Sequence, residues 1–231
     1  MLTKIAKLHA GGSVMLARIE PQEVDGKPLL TFIGTAFMCH GKGYLLTAAH
    51  PINLTDKLCV VPAPPFDKFN PLSSAQFQFF FVEVAQFDAI NDVALLRLPA
   101  GVTITVPTNT LGDEGQVPVG SSLAYLGYPY AQMAQHALKV SSSVLSAKVV
   151  SQAGTKQIQF DAMVETGNSG GPLIDVATGK IVAIVSGRFS PSGNQVVAQI
   201  GNHVLGTESS ISYAVGISYG KALMISEGLH A

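Results

Sequence analysis

Charged side chains are scarce in this chain: Asp, Glu, Lys and Arg make up 13% of its 231 residues, and the formal net charge is −1. Such a balance gives no basic surface of the kind that binds nucleic acids or anionic membranes. Apolar residues make up 47%, enough to bury a substantial core. We therefore predict a globular protein with no nucleic-acid partner.

Long apolar runs are missing as well. No stretch of 18 uncharged apolar residues occurs, so the sequence predicts no membrane span. The first residues, Met1–Lys7, do not form the long apolar core of a signal peptide. The chain as given is therefore expected in the cytoplasm, or exported to the periplasm or beyond if a leader was removed.

Disulfide-forming and metal-binding side chains are few. The two cysteines, Cys39 and Cys59, exclude a disulfide-dense scaffold. A bond between them stays open, and two buried thiols are favoured. No pair of the six histidines has metal-ligand spacing with carboxylates or thiolates. We expect no metal site and no cofactor.

Short apolar segments separated by Gly, Pro, Ser and Asn fill most of the chain, and a helical period is sustained only at its end. This spacing predicts a β-sandwich or β-barrel. The predicted strands are Ser13–Arg18, Thr31–Cys39, Gly43–Thr47, Leu58–Val61, Phe77–Val84, Val93–Arg97, Ser122–Tyr125, Ala137–Val150, Gln157–Phe160, Pro172–Ile174, Ile181–Val185 and Tyr213–Val215.

The most informative motif is Gly167–Leu173, which places Ser169 in a glycine-rich turn just before an apolar run. Glycine tolerates φ > 0 and leaves room for the backbone of a ligand. A turn of this kind can aim successive N–H groups at one point, as a developing oxyanion requires. With a histidine and a carboxylate nearby, the motif indicates acyl transfer by an activated serine.

Both partners occur at the ends of predicted strands. His50 follows the strand Gly43–Thr47, and Asp92 directly precedes the strand Val93–Arg97. An imidazole exchanges protons near neutral pH and can serve as a general base. Asp88 is the competing carboxylate. Asp92 is favoured because it abuts the apolar strand, and Asp88 is expected in a solvated loop.

The chain order His50, Asp92, Ser169 resembles the triad of the trypsin/chymotrypsin-like serine proteases. Further segments are similar to the HtrA/Deg branch of that family: Leu126–Pro129, Ser143–Ala147, Gln159–Ala162 and Ser212–Val215. The resemblance covers about residues 31–229. It implies an all-β fold of two six-stranded antiparallel β-barrels with a short C-terminal helix.

The resemblance also implies a single trypsin-like peptidase domain over 1–231. Its expected parts are a first barrel over about 10–102, an inter-barrel crossing over about 103–119, a second barrel over about 120–217 and a helix over about 219–229. HtrA proteins generally carry a C-terminal PDZ domain, so either this lineage has none or the chain was shortened. Association into homo-oligomers is left open.

By the same resemblance, Ser169 is the nucleophile, His50 the general base and Asp92 the group that orients His50. The backbone N–H groups of Gly167 and Ser169 are expected to form the oxyanion hole. The implied function is a serine endopeptidase acting on polypeptides. Two alternatives stay open: a catalytically silent peptide-binding relative of the same fold, and an esterase or acyltransferase.

The specificity pocket is also carried over from the family. Its bottom is expected at Met163 and its wall at Ser186, Gly187 and Arg188, with a contribution from Ile211. Such a pocket favours small or medium apolar side chains before the scissile bond. The alternative is that Met163 and Ile211 belong to the core.

Two carboxylates near the motif stay outside the predicted pocket. Asp161 is expected to be structural, and Glu165 is expected to be solvated. Two long loops, Pro62–Ala75 and Ser190–Ser210, are expected to border the cleft.

Overall fold

The computed structural model describes residues 1–24, 26–74, 76–102, 104–188, 198–200, 203–205 and 211–230. Its helices are α1 (Leu2–His9) and α2 (Ile217–Ser226). Its strands are β1 (Ser13–Val24), β2 (Lys27–His40), β3 (Tyr44–Thr47), β4 (Lys57–Val61), β5 (Phe80–Asp88), β6 (Val93–Arg97), β7 (Ser122–Gly127), β8 (Lys139–Val150), β9 (Lys156–Asp161), β10 (Pro172–Asp175), β11 (Ile181–Arg188), β12 (Ala198–Ile200), β13 (His203–Leu205) and β14 (Ile211–Gly216). Each predicted strand overlaps one of these.

The strands form two closed barrels of six strands each. The first has the order β1-β2-β3-β6-β5-β4, and the second has the order β10-β11-β14-β9-β8-β7. Neighbouring strands in both barrels are antiparallel. The predicted all-β fold of two six-stranded barrels with a short C-terminal helix is confirmed. The pair β12–β13 falls in the predicted loop Ser190–Ser210, and the rest of that loop lies outside the described residues.

Each barrel has its own apolar core, and a third core lies between the barrels. Consecutive residues of a strand point to opposite faces, so Leu45 packs inside the first barrel while Leu46 packs against the second. The shared core also contains Leu95 of the first barrel and Leu126 and Ile184 of the second. Strands β3 and β6 are therefore covered on both faces. The end of β3 and the start of β6 lie at the junction of the barrels.

Helix α1 was not expected, because the sequence shows a sustained helical period only near its C-terminus. Ile5, Ala6 and His9 of α1 are buried, and His9 Nε2 lies 2.8 Å from the carbonyl oxygen of Gly179. A helix of eight residues depends on such tertiary contacts, which a short sequence window does not reveal. Within the described residues, no helix combines the length and apolarity needed to cross a bilayer.

Both cysteines are buried and unbonded, as the favoured alternative predicted. Burial raises the pKa of both thiols, that of Cys59 to about 12, because the charged thiolate is poorly solvated there. The two thiols therefore act as small apolar groups of the first barrel.

Candidate active site

The register of β3 and β6 brings His50 and Asp92 together. The two strands are antiparallel with Thr47 opposite Ala94, so the residues that follow β3 lie beside those that precede β6. The candidate site thus begins at the junction of the barrels, where β3 ends and β6 starts.

Asp88 is not a solvated loop residue, so that prediction was wrong. It is the last residue of β5, and its carboxylate accepts hydrogen bonds from the backbone N–H groups of Ile90 (3.1 Å) and Asn91 (2.9 Å). These bonds order the turn into β6. At the end of that turn, Asp92 has a φ of 55°, in the left-handed region.

The carboxylate of Asp92 holds both the backbone and the ring of His50. Its Oδ1 accepts from the N–H groups of Ala49 (3.0 Å) and His50 (2.8 Å). Nδ1 of His50 lies 3.1 Å from Oδ1 and 3.0 Å from Oδ2. Burial raises the pKa of Asp92, but hydrogen bonds from His50 and Ser186 and the attraction of His50 outweigh it, so the pKa lies below its usual value. Asp92 is therefore a carboxylate at neutral pH, while half of the His50 side chain is exposed to the cleft.

Ser186 joins this group through both its side chain and its backbone. The β11–β14 register shifts between Val185 and Gly187, so Ser186 lies at an irregularity of the ladder. Its hydroxyl donates to Oδ2 of Asp92, and its carbonyl oxygen accepts from the hydroxyl of Ser169 at 2.8 Å. We predicted Ser186 as pocket wall and missed its contact with Asp92.

The hydroxyl of Ser169 lies at the same junction, on the turn before β10. Through Ser186 it is connected to Asp92 and His50. Among the described residues, the bond to Ser186 is its one hydrogen bond, so its proton points there and not at His50. Catalytic hydrogen bonds often form only once a substrate is bound.

The turn that carries Ser169 is held by a hydrogen bond at each carbonyl from 166 to 169. Thr166 O accepts from Tyr130 N–H (2.7 Å), Gly167 O from the Thr35 hydroxyl (2.7 Å), Asn168 O from Gly171 N–H (3.0 Å) and Ser169 O from Thr35 N–H (2.8 Å). In a trans peptide the N–H points away from the preceding carbonyl. The N–H groups of Gly167 and Ser169 therefore face away from the partners of Thr166 and Asn168. Within the described residues, neither N–H has a hydrogen-bond partner.

Two glycines of this turn have a positive φ and also no room for a side chain. Gly167 has a φ of 100°, and a Cβ there would lie 2.2 Å from the carbonyl oxygen of Tyr128. Gly170 has a φ of 86°, and its Cβ would lie 2.1 Å from the carbonyl oxygen of Thr35. Both positions combine a backbone conformation that favours glycine with close backbone packing. The glycines of the motif thus have a steric reason.

The residues predicted to form the pocket lie on β11, on β14 and in the segment before the turn. Met163 and Ile211 are each 43% exposed, so the alternative that they belong to the core was wrong. Gly187 approaches the ring of Tyr213, whose hydroxyl oxygen would lie 3.0 Å from an added Cβ. Arg188 ends β11 and is partly exposed.

Glu165 is not simply solvated, which corrects that prediction. Its carboxylate accepts a hydrogen bond from the hydroxyl of Tyr130 and lies 3.9 Å from the guanidinium of Arg188. The same carboxylate raises the pKa of Tyr130. Asp161 is exposed at the end of β9. Within the described residues, no three His, Cys, Asp or Glu side chains are arranged to hold a metal ion.

A family model described as a trypsin-like peptidase domain matches residues 34–184. The chain belongs to this family. The chain is 30% identical over 164 residues to "Probable periplasmic serine endoprotease DegP-like" of Halomonas elongata. It is also 30% identical over 167 residues to "Protease Do-like 1, chloroplastic" of Arabidopsis thaliana. These matches cover 70% and 69% of this chain but only 30% and 34% of the relatives, so the chain spans about a third of their length.

Comparison with solved structures gives the same fold. One neighbour, an HtrA-type protease AlgW with a decapeptide, superposes with a TM-score of 0.71 at 21% identity, over 98% of this chain and 67% of that chain. The resemblance to trypsin-like and HtrA/Deg proteases that the motifs indicated is confirmed.

Proposed function

We propose that this chain is a serine endopeptidase in which Ser169 attacks the peptide carbonyl, His50 transfers the proton and Asp92 orients His50. The main support is one juxtaposition. The hydroxyl of Ser169 lies near the N–H groups of Gly167 and Ser169, which have no hydrogen-bond partner in the part of the chain that the structure describes, at the cleft that contains the His50–Asp92 pair. Together these features suit acyl transfer.

The proposed reaction uses these groups in sequence. Because Nδ1 of His50 donates to Asp92, Nε2 is left as an acceptor for the proton of Ser169. The attack creates an oxyanion, which accepts hydrogen bonds from the N–H groups of Gly167 and Ser169. His50 then gives the proton to the leaving amine, and a water molecule hydrolyses the acyl-enzyme by the same steps.

The proposed substrate preference is for small or medium apolar side chains before the scissile bond. It is supported by the exposed parts of Met163 and Ile211, which offer apolar surface beside β11 and β14. Peptides that differ only at this residue test the preference. We expect kcat/KM to be higher for Ala, Val and Leu than for Lys or Glu, with about 1–3 kcal/mol between neighbouring sizes.

The central experiment compares wild type, Ser169→Ala and Ser226→Ala with casein as substrate. Ser226 lies exposed at the end of α2 and controls for the loss of a hydroxyl. We expect Ser169→Ala to lose on the order of 10⁶ in kcat and Ser226→Ala to match wild type. Retention of most casein cleavage by Ser169→Ala would overturn the assignment.

A fluorophosphonate probe distinguishes the two other functions. The silent peptide-binding alternative is favoured by one observation, the hydrogen bond of Ser169 to Ser186 in place of His50. A covalent label found on Ser169 by peptide mapping contradicts it, and a protein that binds peptide but takes no label supports it. Hydrolysis of a small ester without casein cleavage indicates an esterase.

A further inference from the structure

We propose that Thr35 is a positioning residue of the oxyanion hole, although it lies on the first barrel and Ser169 on the second. It holds the turn around Gly167 in an orientation in which the N–H groups of Gly167 and Ser169 bond to none of the described residues. This inference rests on the proposed function and adds a residue to it that has no role in the triad.

Thr35 makes three hydrogen bonds across the junction of the barrels. Its hydroxyl donates to the carbonyl oxygen of Gly167 (2.7 Å), and its N–H donates to the carbonyl oxygen of Ser169 (2.8 Å). The same hydroxyl accepts from the N–H of Tyr128 at 3.2 Å. The hydroxyl of Thr35 is therefore used both as donor and as acceptor, and the residue has 0% exposure.

The turn needs such an anchor because its conformation rests on glycine. Gly167, with a φ of 100°, has no Cβ to restrict rotation of the two peptide planes beside it. The plane before it is held by the N–H of Tyr130 on Thr166 O. The plane after it is held at both ends, by the hydroxyl of Thr35 on Gly167 O and by the N–H of Asn168 on Glu165 O (3.0 Å). Without the hydroxyl, the carbonyl end of the second plane loses its anchor and can tilt, which changes the backbone angles at Gly167. The N–H of Gly167 would then be held less firmly toward the oxyanion.

Thr35 is itself held in place by the first barrel. Its carbonyl oxygen accepts from the hydroxyl of Thr47 on β3 at 2.7 Å, one residue away from the Ala36–Thr47 pair of the β2–β3 ladder. The barrel that supplies His50 thus also sets the position of the turn in the other barrel. Catalytic geometry is shared across the junction.

The test removes the hydroxyl while keeping the branched shape of the side chain. In Thr35→Val we expect kcat, per site titrated with the fluorophosphonate probe, to fall about 10-fold to 100-fold with KM nearly unchanged, less than the about 10²–10³-fold cost of removing an oxyanion donor. Thr35→Ser keeps the hydroxyl and should recover kcat to within about threefold of wild type. Thr35→Ala provides a smaller variant without the hydroxyl, and counting active sites excludes misfolded protein from the rate. The control is Ser13→Ala, which deletes a buried hydroxyl bonded to His9 O (3.1 Å) and should leave kcat unchanged.

A second measurement separates positioning from general structural support. A peptide boronic acid forms a tetrahedral adduct whose oxygen uses the oxyanion hole, whereas a peptide bound to the Ser169→Ala protein does not form one. We expect Thr35→Val to weaken boronate inhibition by the same factor as kcat/KM. Adding it to Ser169→Ala should leave peptide affinity unchanged. An active wild type with undiminished kcat in Thr35→Val, or equal losses of kcat and peptide affinity, would overturn the positioning role. An inactive wild type would instead overturn the proposed function.

Discussion

The turn that carries Ser169 and the exposed side chains of the proposed specificity pocket are held in different ways. In the turn, the carbonyls from 166 to 169 all have hydrogen-bond partners, and Gly167 and Gly170 leave no room for a Cβ. In the pocket, Met163 and Ile211 are 43% exposed, and the guanidinium of Arg188 lies 3.9 Å from Glu165, beyond hydrogen-bond distance. The geometry that every substrate would use is thus fixed by backbone packing, and Met163, Arg188 and Ile211 are side chains that can adapt.

Among the substitutions that test this comparison, the largest effect is expected from Asp92→Asn, which keeps the shape of the Asp92 side chain and changes its hydrogen bonding. The two backbone N–H groups at Oδ1 retain the amide oxygen, so the NH₂ group faces Nδ1 of His50. Nδ1 must then accept, and Nε2 carries a proton and cannot take one from Ser169. We expect kcat to fall about 10⁴-fold with little change in peptide affinity.

The control for this substitution is Asp67→Asn, at an exposed loop position, which should leave kcat unchanged. A loss of less than 10-fold in Asp92→Asn would show that the imidazole is oriented by something other than this carboxylate.

Gly170→Ala tests the steric side of the same region. Its Cβ would meet Thr35 O at 2.1 Å and Thr47 Oγ1 at 2.2 Å, in addition to the cost of a positive φ. We expect the free energy of unfolding to fall by about 2–5 kcal/mol, measured by urea denaturation. Gly154→Ala is the matched control, because Gly154 has a φ of 87° and nothing within 4 Å of an added Cβ. Its loss should stay near 1–2 kcal/mol. Equal losses in the two variants would mean that the turn can give way.

The sequence could predict those features of the site that depend on short segments of the chain. His50 and Asp92 stand at the ends of strongly apolar strands, and β6 begins and ends where it was predicted, at Val93 and Arg97. The glycine-rich motif has a local cause, the positive φ of Gly167 and Gly170. These features are visible because each depends on a few neighbouring residues.

The features that were missed depend on contacts distant in sequence. Thr35 bonds to a carbonyl 132 positions away, and an isolated threonine in an apolar strand gives no sign of it. The bond from Ser186 to Asp92 spans 94 positions. Glu165 was expected to be solvated because its partners, Tyr130 and Arg188, come from two other segments. Only the closed barrels bring these residues together.

A smaller effect is expected from substitutions at Arg188 and Glu165, which test whether charge at the proposed pocket contributes to selectivity. Arg188→Ala removes a positive charge near the cleft, so we expect the ratio of kcat/KM for peptides with an acidic residue before the scissile bond to those with a basic one to fall roughly threefold to fivefold. This corresponds to at most about 1 kcal/mol, typical of partly exposed charges. Glu165→Gln leaves Arg188 unneutralised and should raise the same ratio. Matching shifts in the same direction would contradict a role for charge.

The smallest effect is expected in the pH dependence of the free energy of unfolding, to which Asp92 contributes. Its pKa is lower in the folded protein, so its contribution to stability is present above the unfolded value of about 3.9 and is lost as the pH falls through the folded value. Asp92→Asn cannot titrate. The difference in the free energy of unfolding between wild type and Asp92→Asn should therefore shift against wild type as the pH falls below about 4. A difference that stays constant down to pH 3, measured by urea denaturation at each pH, would mean that His50 and Ser186 do not favour the charged carboxylate. Asp92 would then hold His50 by geometry alone, since its bonds to the backbone N–H groups of Ala49 and His50 do not require its charge.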